Sequence, residues 1–63
     1  MYTRCFERTS YNPYVNREVY EVINLSEYGF EWYADNILVH SGLIEDIDET
    51  IASLIEEGFE EVI

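Results

Sequence analysis

The sequence predicts an α+β domain: a small antiparallel β-sheet of three to four strands with one amphipathic α-helix packed on one face. Three observations carry that expectation. A two-residue turn signal sits between aromatic and β-branched runs in mid-chain, the hydrophobic period changes to a helical one at Asp46, and 63 residues leave room for one domain, residues 1–63.

Tyr2 to Thr9 alternates loosely and suits a first strand, with Ser10, Tyr11, Asn12 and Pro13 reading as the turn that follows. Arg17 to Leu25 is rich in β-branched residues and is read as a second strand. Val15, Val19, Val22 and Ile23 also match a helical face capped by Asn12, so residues 13–28 are open to a helix reading as well. Asp35-Asn36 then supplies a turn tolerant of positive φ within a hairpin from Tyr28 to Ser41. Pairing Ala34 with Ile37 sets Trp32 against Val39 and Phe30 against Ser41. Phe30, Trp32, Ala34, Ile37 and Val39 then share the core face, and the other face carries Glu31 beside His40 and Tyr33 beside Leu38.

From Asp46 onward, Ile47, Ile51, Leu54 and Ile55 recur at helical spacing, with Asp46 as N-cap, Glu49 completing a capping box and Gly58 marking the end. Phe59 to Ile63 is open between a short closing strand and a frayed helical turn. Glu56, Glu57, Glu60 and Glu61 follow where the helix dipole is negative, with no neighbouring base to offset them.

Charge is the most informative property. Residues 1–17 hold three arginines and one glutamate, a net of +2, while residues 18–63 hold thirteen carboxylates and no base. A chain of net charge −11 repels nucleic acid and acidic membranes and is steered toward basic surfaces. Ten aromatic residues and a hydrophobic share of 48% oppose disorder despite that charge. Residues Met1 to Cys5 lack the pattern of a signal peptide, so a cytoplasmic protein is expected, in the host cytoplasm if phage-encoded. One cysteine and one histidine cannot build a structural zinc site, and no cofactor or metal is expected.

Asp46-Ile47-Asp48-Glu49-Thr50 spells D-x-D-x-T and resembles the phosphatase motif of the haloacid dehalogenase superfamily, which implies an Asp46 nucleophile and an Asp48 acid/base. That chemistry requires a large doubly wound domain, and the same acids cap and charge a helix. Asp46, Asp48, Thr50 and Glu57 also fall at the first, third, fifth and twelfth positions of an EF-hand loop, but Ile51 replaces the glycine its turn requires. His40 and Ser41, adjacent on a strand, point to opposite faces and form no nucleophile and base pair. Cys5 beside Arg4 reads as a reactive thiol or, more simply, as a small apolar strand residue. No enzyme is expected.

What remains is the distribution of acids. Glu45, Glu49, Glu56 and Glu60 would form one stripe with neighbours about 6 Å apart, near the spacing of phosphates along a nucleic-acid strand. Glu18, Glu21, Glu27, Glu31 and Asp35, interleaved with Tyr20, Tyr28 and Tyr33, would add a second row. The combination resembles, in kind, the small acidic inhibitors that phages and mobile elements direct against nucleases, of the anti-CRISPR and anti-restriction type. That resemblance implies a non-enzymatic protein that imitates phosphates and fills the basic channel of a nucleic-acid-binding protein. The expected partner-binding residues are Glu31, Tyr33, His40, Glu45, Asp48, Glu49, Glu56, Glu57, Glu60 and Glu61. The alternative is a structural or regulatory module that forms a homodimer through the open sheet face.

Overall fold

A computed structural model describes residues 4–62. Strands β1 (Arg4–Asn12), β2 (Arg17–Leu25), β3 (Gly29–Ala34) and β4 (Ile37–Leu43) are followed by helix α1 (Ile47–Glu56) and strand β5 (Glu60–Val62). The five strands form one antiparallel sheet in the order β4-β3-β2-β1-β5. The class is α+β, with five strands where three to four were expected. The extra one is the short closing strand, which pairs Cys5 with Val62 and Glu7 with Glu60. Of the first predicted strand, Tyr2 and Thr3 lie outside the described residues, as does Ile63 at the other end.

The first turn is displaced from its predicted place. β1 continues through Ser10 and Tyr11 to Asn12, and the turn is formed by residues 13–16. Asn12 initiates it: its side-chain oxygen accepts from the backbone N–H of Tyr14 at 2.9 Å, and Asn16 closes it at φ 54°. Residues 17–25 are strand, which removes the helical alternative.

Asp35 and Asn36 adopt φ of 49° and 68°, the left-handed pair that matches the twist of a two-residue hairpin. Ala34 pairs with Ile37 and Tyr33 with Leu38, but the register then slips by one residue between Trp32 and Tyr33. Trp32 therefore pairs with His40 in place of Val39, Glu31 with Ser41 in place of His40, and Phe30 with Gly42 in place of Ser41. A bulge adds one residue to a single strand, which reverses the facing of all that follow. His40 is thereby moved to the helix side, next to Phe30, with ring centroids 5.3 Å apart. Ile37 and Val39, expected in the core, are 68% and 54% exposed.

The core is small: Phe6, Ile23 and Leu25 from β1 and β2, Ile51 and Leu54 from α1, and Phe59, with Phe30, Trp32 and Ile47 packed at its margin. Each such side chain contributes roughly 1.5–3 kcal/mol when fully buried. Ile55, the fourth member of the predicted apolar stripe, is 59% exposed, because the ten-residue helix turns only a narrow stripe to the sheet. At the start of α1 the Asp46 carboxylate accepts from the N–H groups of Asp48 and Glu49 at 3.0 and 3.2 Å. At its end Gly58, at φ +97°, donates to Ile55, and Phe59 donates to Leu54. That closing pattern turns the chain toward β1 and drops Phe59 into the core. No helix among the described residues is long and apolar enough to cross a membrane.

Gly29 is required by close approach, since a Cβ there would lie 2.6 Å from the carbonyl oxygen of Gly42. Gly29→Ala is expected to lower stability by about 1–3 kcal/mol. Gly42→Ala, which meets only the edge of the Phe30 ring at 3.2 Å, should cost less. Urea denaturation of both variants checks the order.

Candidate protein-interaction site

The three arginines project from the helix side of β1 and β2, and each is taken by a carboxylate of this chain. Arg4 forms a two-pronged pair with Glu61, its Nε at 2.7 Å. Arg17 contacts Asp35 at 2.6 Å, and Asp35 also accepts from the N–H of Tyr20. Arg8 reaches Glu21 at 2.7 Å, donates to the carbonyl of Glu57 at 2.7 Å and lies over the Phe59 ring at 4.3 Å. This last arrangement ties β1, β2, the end of α1 and β5's approach together.

Glu21 was expected in a surface row and is instead buried, 8% exposed. Burial pushes its pKa up, but hydrogen bonds from Arg8 and from Ser10 at 2.9 Å, with the Arg8 charge, more than offset that and hold it below the usual carboxylate range. The buried Trp32 indole N–H makes no hydrogen bond of ordinary geometry, yet lies close enough to favour the charged carboxylate. No local sequence signal marks this pair, because it depends on the cross-strand register that sets Arg8 directly opposite Glu21.

Three pairs leave eleven of fourteen carboxylates without a base among the described residues. Asp46 caps α1 and Glu27 lies between β2 and β3; the other nine divide between two sides of the molecule. Glu45, Asp48, Glu49, Glu56 and Glu57 are exposed on α1 and its flanks. Glu31, Tyr33 and Glu60 belong to the open face of the sheet with Glu7 and Glu18, since their register partners are Asn24, Val22 and Glu7. Glu61 faces the helix side and is neutralised by Arg4, and His40 lies beside the helix, so neither joins Tyr33 on the open face.

The expected continuous stripe is also interrupted. Glu60 is on β5, and Glu49 and Glu56 stand seven residues apart on α1 with Ser53 between them, about 10 Å along the axis. What the helix presents is an acidic ridge with a gap, distinct from an even row. The D-x-D-x-T residues lie at the start of this helix, with the Asp46 carboxylate engaged in capping.

On the open face Glu7 and Glu60 are directly opposed, and Glu7 accepts from the Tyr20 hydroxyl, which raises the Tyr20 pKa. Cys5 shares this face; burial, and then Glu7, push its thiol up, which disfavours a reactive thiolate. Tyr11, Tyr20, Leu38, Leu43 and Val62 are 40–88% exposed on the same side. No family model, curated protein or solved structure matches the chain.

The depressed Glu21 pKa sets a pH dependence. Its contribution is complete above the unfolded value of 4.5 and is lost as pH falls through the lower folded value. Glu21→Gln should therefore cost on the order of 3 kcal/mol at neutral pH. The gap to wild type should close as pH drops below 4.5. Denaturation curves across that range test it, and a constant gap would refute the assignment.

Proposed function

We propose that this chain is a non-enzymatic acidic binding domain that engages a cationic protein surface, and that its target is the basic channel of a nucleic-acid-binding protein or nuclease. One observation carries the reading. The fold engages all three of its arginines in internal pairs and leaves the α1 ridge, Glu45, Asp48, Glu49, Glu56 and Glu57, exposed and outside any ion pair among the described residues. Such a surface has strong long-range attraction for basic patches and none for nucleic acid. Exposed like charges also oppose folding, so their concentration on a short helix fits a surface kept for binding.

Within this reading the ridge is the primary contact, and Glu31, Tyr33 and Glu60 on the opposite side serve a second contact or solubility. Glu61 contributes to the fold through Arg4. Imitation of regularly spaced phosphates has less support than general electrostatic attraction, because the ridge is broken at Ser53.

The open face supports a second reading. Its exposed tyrosines and aliphatic residues suit a homodimer contact, although Glu7, Glu18, Glu31 and Glu60 would then face their own copies. Light scattering decides it: a dimer mass that Leu38→Glu converts to monomer, with charge changes on α1 indifferent, would favour this alternative.

For the primary reading, the tagged chain should retain basic nucleic-acid-binding proteins from a host extract at low salt and release them to added salt or competing DNA. Converting Glu45, Glu49 and Glu56 together to Gln should weaken retention about tenfold, at roughly 0.5 kcal/mol per exposed charge. Recovery of no basic protein at low salt would overturn it.

A further inference from the structure

The layer on the helix side of the sheet is incomplete. A ten-residue helix is about 15 Å long and about 10 Å across. Five strands at their hydrogen-bonded spacing span about 19 Å. The buried side chains of α1 pack on Phe6, Ile23 and Leu25 at the centre of the sheet, and β3 and β4 are left partly uncovered. The result is a groove between α1 and the β3–β4 hairpin, floored by Phe30, Trp32 and His40 and walled by Ile44, Leu54 and Glu57.

The chemistry of this groove is graded along its length. Thr50, Leu54 and Glu57 lie on one line of α1, so the helix wall runs from polar through apolar to acidic. Beyond Ile44 and Thr50 the groove opens into an adjoining depression lined by Glu45, Asp46 and Glu49. An apolar middle is thus bracketed by carboxylates at both ends.

We infer that this groove is the docking site for a basic amphipathic helix of the partner protein. That helix lies beside α1, its apolar stripe on Phe30, Trp32 and His40, and its Lys or Arg residues meet Glu57 at one end and Glu45 and Glu49 at the other. The inference rests on the reading of the domain as a binder of cationic proteins and specifies which element of the partner it holds. A sheet face with an apolar strip beside one helix is completed most simply by a second helix, which buries its own stripe in the same act. Charge complementarity excludes a second copy as occupant. This chain's one helix among the described residues has its stripe buried in its own core and is otherwise acidic, and its arginines are engaged in ion pairs. Another copy would set acid against acid.

Trp32 is the sole tryptophan and lies in the groove floor, so its emission reports occupancy directly. The probes are two synthetic Leu/Lys peptides of about 15 residues, a length at which helices form mainly on binding. One has leucines at helical spacing, and the other has the same composition scrambled to abolish the stripe. The striped peptide is expected to shift Trp32 emission to shorter wavelength and to bind at least tenfold more tightly than the scrambled one. His40→Arg, at an exposed position, places a cation in the groove and should remove that tenfold preference while circular dichroism shows the fold intact. Equal binding of both peptides with Trp32 emission unmoved would overturn the groove and leave the acidic ridge as the binding surface. Binding of neither peptide at low salt would overturn both this inference and the reading it rests on.

Discussion

To pass from β4 at one edge of the sheet to β5 at the other, α1 must cross the sheet's centre, and its two buried residues, Ile51 and Leu54, land there on Phe6, Ile23 and Leu25. A domain of this length buries only roughly 60% of the surface its unfolded chain exposes, so that single contact carries most of the core. The position of the crossing also determines what stays open. It leaves the groove over β3 and β4, and it turns the outer side of the helix, with its carboxylates, to solvent.

Electrostatics follow from the same geometry. Arg8 sits where α1 ends, and it joins the buried Glu21, the Glu57 carbonyl and the Phe59 ring in one place. A buried pair of this kind contributes less by its attraction than by the cost of breaking it, since either partner alone would be an uncompensated charge. Arg4 and Arg17 draw Glu61 and Asp35 into similar but more exposed pairs. Positive charge near the N-terminus thus serves the fold, and the remaining carboxylates form two separate populations with different neighbours.

The bulge in β4 has consequences out of proportion to its size. One inserted residue moves His40 from the open face to the groove and takes Val39 out of register with Trp32, while Ile37 keeps its predicted pairing with Ala34 and is exposed on the edge strand. Without it, the groove floor would lack one of its rings and the open face would gain a histidine beside Glu31.

Much of this architecture was legible in the residues themselves. The Asp35-Asn36 turn, the Asp46 cap, the Gly58 stop and the helical stripe are set by local backbone preferences, and those act over a few residues and can be read in order. The acidic character and the exposure of the α1 carboxylates were legible for the same reason. The closing strand, the bulge, the burial of Glu21 and the division of acids between two sides were not, because each depends on partners distant along the chain. Three residues of β5 become a strand only because β1 offers them an edge, and Glu21 becomes a core residue only because β1 sets Arg8 opposite it. Local preferences along the chain set the hairpin turn, the helix with its cap and stop, and the charge each element carries; tertiary packing settled whether the ambiguous segments became strands and which face each side chain meets, since a shift of one residue in a strand reverses its facing at little local cost.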